Sequence, residues 1–159
     1  MKTGILLISL VAATLNFARC AHAQDAEQIV VHKSGQPVSQ GSADFFTGAV
    51  KMQPMLSANA DAPYGAAYVT FAVQARTAWH RHPAGQRLIV ISGTAWTQEW
   101  NGKRIEAKAG DMIWCPPNIK HWHGASADGE MTHVALTGVK DGENVEWLEK
   151  VTDEQYYGH

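Results

Sequence analysis

Hydrophobic positions between residues 44 and 140 recur in short runs rather than in a sustained helical stripe. The runs cover residues 46–52, 66–73, 88–91, 94–100, 104–107, 111–115, 122–125 and 131–136. Turn-forming residues separate many of them: Ser92-Gly93, Asn101-Gly102, Ala109-Gly110-Asp111 and Asp128-Gly129. Regularly spaced, β-rich runs with this punctuation predict an all-β sandwich or barrel. Trp100-Asn101-Gly102-Lys103 reads as a hairpin closed by a two-residue turn. Period-two alternation places Ala67, Val69, Phe71 and Val73 on one face of their strand. Met131, His133, Ala135 and Thr137 share a face of another. Residues 145–157, after the turn Asp141-Gly142, have room for a short helix. Residues 24–43 are polar and aperiodic and read as a loose arm, so the packed domain is expected from Asp44 to the end.

The first 23 residues carry Lys2, an apolar stretch over 4–18, and Ala21-His22-Ala23 before Gln24. That order is the pattern of a cleaved export leader. The stretch is too short for a membrane span, which takes roughly 20 apolar residues. A periplasmic or secreted bacterial protein is therefore expected, with no membrane association once the leader is removed. Cleavage also removes Cys20, which leaves Cys115 without an intrachain disulfide partner.

Composition narrows the function. With 45% hydrophobic and 18% charged residues in 159, the chain is neither disordered nor fibrous. The formal charge is -2, and loss of Lys2 and Arg19 with the leader leaves 11 basic against 15 acidic residues, or -4. Nucleic-acid binders carry the opposite sign. Eight histidines and six tryptophans direct attention to metal and pocket chemistry with a small-molecule substrate.

The histidines are paired. His80-Arg81-His82 places two imidazoles on the same face of an extended strand, and Gln86 follows. His121 and His123 repeat the arrangement after the turn Pro116-Pro117-Asn118. Imidazole suits Zn, Mn, Fe, Ni and Cu, and an open site needs three or four protein donors. From the residues alone, Gln86 is either a fourth donor or a hydrogen-bond partner beside three histidines, and Cys115 is a small buried residue.

The spacing resembles the two motifs of the cupin family, small β-barrels or jelly rolls that hold one metal among their strands. His80-Arg81-His82 leads after three residues to Gln86 and after six more to Gly93; Gly110 leads to Pro116 and His121. Four positions depart from the pattern. Gln74 stands where the opening glycine belongs, Asn118 replaces the second glycine, Ala125 the closing asparagine, and Gln86 the acid. Asparagine tolerates a left-handed backbone, so the exchange at 118 is mild. An amide at 86 leaves the metal's charge uncancelled.

Further segments are similar to the bacterial cupin-type, manganese-dependent (R)-selective hydroxynitrile lyases. They are Ala43-Asp44-Phe45-Phe46-Thr47-Gly48, Arg76-Thr77-Ala78-Trp79-His80, Lys120-His121-Trp122-His123-Gly124-Ala125, Met131-Thr132-His133 and Val151-Thr152-Asp153-Glu154-Gln155-Tyr156. That resemblance implies metal ligation by His80, His82, Gln86 and His121, with Mn2+ as the metal and Fe2+ or Zn2+ as alternatives. It implies His133 as base or proton relay, Thr77 as a polar contact to the substrate oxygen, and cleavage of aromatic cyanohydrins to aldehyde and hydrogen cyanide. Ala67, Val69, Phe71, His123 and Thr137 are expected to line the pocket, although Phe71 and Val73 also read as core. Phe45-Phe46, on an edge strand, is a candidate contact for a homodimer or homotetramer. Two other functions fit the same donors: a ferrous cupin dioxygenase and a non-catalytic periplasmic binder of a small ligand.

Overall fold

In the computed structural model, residues 29–158 are described; the predicted leader, residues 1–23, and the start of the predicted arm lie outside the described residues. In chain order the elements are β1 (Ser39–Gln40), β2 (Phe46–Thr47), β3 (Val50–Leu56), β4 (Tyr64–Phe71), β5 (Arg76–Thr77), β6 (His80–Arg81), β7 (Gln86–Ser92), β8 (Thr94–Glu99), β9 (Ile105–Lys108), β10 (Met112–Cys115), β11 (His121–Ala125), β12 (Met131–Gly138), β13 (Glu146–Trp147) and α1 (Asp153–Tyr157). The expected all-β fold with a short C-terminal helix is what the chain forms. Among the described residues no helix is long and apolar enough to cross a membrane.

The strands make two sheets of antiparallel pairs. One runs β1-β3-β4-β12-β7-β10. In the other, β11 pairs with β8 along one edge and with the short β5 and β6 along the opposite edge; β9, β2 and β13 extend it. The sheets enclose a core of Val50, Val69, Phe71, Leu88, Val90 and Met131 from the first and Phe46, Ala95, Ala107 and Ala125 from the second. Alternation directs these side chains inward. In β12 the buried residues are Met131, His133 and Ala135, opposite Phe71, Val69 and Ala67 of β4.

The second sheet is covered on its other face as well. Trp79 and Trp122 alternate with the histidines and pack with Val151 and Tyr156 of the tail. Thr152 and Gln155 cap α1 reciprocally, and Tyr156 donates its hydroxyl hydrogen to the Ala125 carbonyl at 2.8 Å. The buried Arg76 guanidinium bonds the Val151 carbonyl and, at 2.5 Å, Asp153 Oδ1. The tail thereby closes the face behind the histidine strands.

Several details differ from expectation. The later part of the predicted arm is paired rather than loose: Ser39–Gln40 joins β3, and Gln53 bonds the Gln36 carbonyl at 2.9 Å. The run 46–52 breaks into β2 and β3 at Gly48, whose φ is 78° and whose hydrogen leaves room for Ala75. Phe46 is buried in the core, so it is not an exposed dimer contact; Phe45 stacks on Trp147 at 4.8 Å. Val73 lies past the end of β4 and is half exposed instead of sharing the buried face. The hairpin between β8 and β9 is longer than two residues. Asn101 is left-handed at φ 63°, and Gly102 donates to Glu99.

Both residues that replace motif glycines adopt the glycine conformation: Gln74 has φ 65° and Asn118 φ 63°. A left-handed residue with a Cβ costs about 1–2 kcal/mol, and Gln74 is solvent-exposed. Gln74→Gly is therefore expected to stabilise the fold by about 1 kcal/mol after glycine's entropy loss, read as a higher urea midpoint at unchanged m-value.

Candidate metal centre

His80 and His121 face each other across the β6–β11 pairing, with ring centroids 4.3 Å apart. His82 follows β6, with its ring 5.0 Å from His80 and 5.5 Å from His121. One potential ligand nitrogen from each of the three lies within 4.8 Å of the others. All three are buried.

Backbone carbonyls fix the tautomers. His80 Nδ1 pairs with the Ala78 carbonyl at 3.0 Å, His82 Nδ1 with Asn144 at 2.5 Å, and His121 Nδ1 with Ile119 at 2.9 Å. A ring that donates through Nδ1 presents a bare lone pair at Nε2, as metal-binding histidines do. His82 Nε2 and His121 Nε2 are buried with no hydrogen-bond partner among the described residues.

Burial holds these rings neutral. It pushes His121 down to about 4, aided by His82, and His80 well below its ordinary value, aided by His121 and His82. His82 is lowered by burial, against the opposing hydrogen bond of its Nδ1 to the Asn144 carbonyl. Neutral imidazoles are the form that binds metal.

Gln86 projects from the first sheet toward the same space. Its Nε2 donates to Thr137 Oγ1 at 2.9 Å, directly across the β7–β12 pairing, and its Oε1 is buried and unpaired. Three imidazole nitrogens and an amide oxygen, uncharged and open at one side, fit a divalent transition ion.

These groups open onto a cavity of about 240 Å³ whose walls include His80, His82, Gln86, Ala67, Val69, Phe71, Thr77, His123, His133 and Thr137. Each predicted pocket residue is at this cavity, and His121 is not among its lining residues. His133 is almost fully buried; neither of its ring nitrogens has a hydrogen-bond partner among the described residues. It packs against His123 at 5.0 Å and Phe71 at 5.5 Å. Burial drives its pKa down to about 3, and that of His123 well below the ordinary range with help from His133 and His80. No carboxylate lines the cavity to offset that desolvation. Thr77 Oγ1 accepts the His123 backbone N–H at 3.1 Å, which leaves its hydroxyl hydrogen free to donate. The Cys115 thiol is pushed up to about 12 by burial, in keeping with a packing role.

The cavity has walls that the strand patterns do not reveal. Phe46 and Met52 contribute from the N-terminal strands, and Asn144, Val145 and Trp147 from the returning C-terminal segment. Trp147 pairs opposite His80 in the β13–β6 register, with rings 5.0 Å apart. Ala135 was within reach of sequence reasoning, since it shares the alternating face of His133.

Comparison with known proteins gives a consistent result. The cupin domain family matches residues 67–137. The chain is 48% identical over 121 residues to an (R)-mandelonitrile lyase of Granulicella tundricola, covering 76% of this chain and 92% of that protein. The crystal structure of a cupin-like protein from Thermotoga maritima is similar at 39% identity and TM-score 0.72, covering 76% of this chain and 91% of the other. A cupin 2 conserved barrel domain protein from Rhodopseudomonas palustris, at 15% identity and TM-score 0.59, shares the fold over 76% of this chain and 81% of its own.

Replacing His80, His82 or His121 by Ala is expected to remove most bound divalent metal, measured by elemental analysis. Thr137→Val strands the Gln86 amide donor and is expected to weaken metal binding by about 10–100-fold, measured by titration, whereas Thr137→Ser retains it.

Proposed function

The chain belongs to the cupin family, and on that premise we propose that it is a metal-dependent hydroxynitrile lyase, cleaving aromatic cyanohydrins such as (R)-mandelonitrile reversibly to aldehyde and hydrogen cyanide. The observation that carries this reading is His133, a buried imidazole with two unpaired nitrogens at a cavity that is also lined by His80, His82 and Gln86. A histidine serving only as scaffold would have its nitrogens satisfied. The name of the Granulicella tundricola relative points the same way.

His80, His82, Gln86 and His121 are the proposed holders of the ion, Mn2+ or alternatively Fe2+ or Zn2+. When bound there, the ion supplies Lewis-acid stabilisation of an oxygen or cyanide carrying negative charge. The protein's own groups do the rest. Val69, Phe71, Met52 and Trp147 give the aromatic ring an apolar wall that excludes water. The free Thr77 hydroxyl hydrogen orients the substrate oxygen. His133 accepts the hydroxyl proton as the carbon–oxygen bond becomes a carbonyl and the carbon–carbon bond breaks. The released cyanide then takes that proton and leaves as hydrogen cyanide. Because the metal donors are all uncharged, the site keeps the positive character that an anionic leaving group requires. The same reading places the mature protein in the periplasm or outside the cell, as a homodimer or homotetramer.

Mandelonitrile cleavage by the Mn2+-loaded protein, followed by cyanide release and chiral analysis, tests the proposal. His133→Ala is expected to keep its metal and lose about 10²–10⁴ in turnover. Gln86→Glu is expected to keep its metal and release cyanide more slowly, because a carboxylate offsets the charge that stabilises the anion. Oxygen uptake without cyanide release would move the assignment to a ferrous dioxygenase, and ligand binding without turnover to a binder.

A further inference from the structure

Inward-facing side chains shrink along β4 and β12 toward one end of the barrel. The cross-strand pairs run Phe71–Met131, Val69–His133, Ala67–Ala135 and Gly65–Thr137. Beyond the metal-side cavity, this taper opens a second chamber of about 320 Å³ walled by Leu56, Ala58, Gly65, Ala66 and Val139. The two chambers share Ala67, Ala135, Thr137 and Asn144, which form the neck between them.

The donors are tied to that neck. Thr137 Oγ1 holds the Gln86 amide at 2.9 Å, and the Asn144 carbonyl holds His82 Nδ1 at 2.5 Å. Both ties join the donor set to residues that wall the inner and the outer chamber alike. The inner chamber, at about 240 Å³, is below the roughly 300–1,000 Å³ of ordinary ligand pockets and has the size for one ring. The outer chamber is lined mainly by alanines with Leu56 and Val139, and its polar side chains are Ser57, Thr137 and Asn144.

We infer that the outer chamber is a second substituent subsite, so that the ligand is a carbonyl or carbinol compound carrying two organic groups, of ketone rather than only aldehyde type. An aryl group fills the inner chamber and an apolar alkyl group passes the alanine neck into the outer one. This rests on the proposed function only in taking an oxygen at the metal centre as the anchor.

Gly65 provides the test. It lines the outer chamber and not the inner one, its φ is not left-handed, and a Cβ there meets nothing closer than the Leu56 carbonyl at 3.5 Å. Binding of benzaldehyde and of butyrophenone, a phenyl ketone with a propyl arm, is measured on the Mn2+-loaded protein by quenching of tryptophan fluorescence, since Trp147 lines the inner chamber. Both are expected to bind. Gly65→Val is expected to weaken butyrophenone by about tenfold more than benzaldehyde, the scale of two methylenes losing their burial. Ala58→Leu, in the loop after β3, repeats the measurement should Gly65→Val misfold. Equal weakening of both probes, or binding of benzaldehyde without butyrophenone, overturns the inference alone. Binding of neither removes the oxygen anchor and the inference with it.

Discussion

The constraint on which the site depends is the burial of uncharged donors with their lone pairs unpaired. His82 Nε2, His121 Nε2 and Gln86 Oε1 have no partner among the described residues, and neither do His123 Nδ1 and both nitrogens of His133. Each buried polar atom left unsatisfied costs about 1–3 kcal/mol. A fold of this size, with stability on the order of 5–15 kcal/mol, keeps such a group only if something compensates it. A divalent ion would satisfy three of the six atoms at once, coupling metal binding to stability.

Secondary structure determines which groups face that space. On β6 and β11 the histidines alternate with Arg81 and Trp122, so one face of the sheet carries imidazoles and the other carries bulk. The outward face would expose Trp79 and Trp122 if the tail did not cover it, and the Tyr156 hydroxyl fastens the tail to Ala125. Packing behind the sheet thus immobilises rings whose Nδ1 groups are already held by Ala78, Ile119 and Asn144. The chain places Gln86 by a separate route, through the β7–β12 register opposite Thr137.

The parts of this arrangement that obey a local period could be read in the sequence. Two His-x-His pairs and the motif spacing point to the histidines that cluster at 80, 82 and 121, the alternation along β12 places His133 and Thr137 on one face, and Ala67, Val69 and Phe71 follow the same rule on β4. What could not be read depends on contacts distant in the chain. Trp147 and Asn144 reach the cavity only because β13 pairs with β6, some 65 residues earlier, and no periodic signal marks that return. Phe46 looked like an edge contact, but a bend at Gly48 turns it into the core. Val73 continued an alternating pattern past the point where the backbone leaves the sheet, because Gln74 is left-handed.

His133 shows how burial changes a role that residue type alone suggests. A histidine in water titrates near neutrality and would share a proton readily. Here desolvation takes its pKa down to about 3, so the ring is neutral across the physiological range and a poor base toward an isolated hydroxyl. Its imidazolium becomes favourable only when negative charge develops in the same cavity. In the proposed cleavage, cyanide brings that charge as the carbon–carbon bond opens, so proton acceptance and bond breaking support each other within one step. A cavity walled by Phe71, Val69 and Met52, with no carboxylate among its lining residues, is what makes them interdependent. A carboxylate beside His133 would raise its pKa, yet it would also oppose the anion that the uncharged donors at 80, 82, 86 and 121 leave the site able to receive.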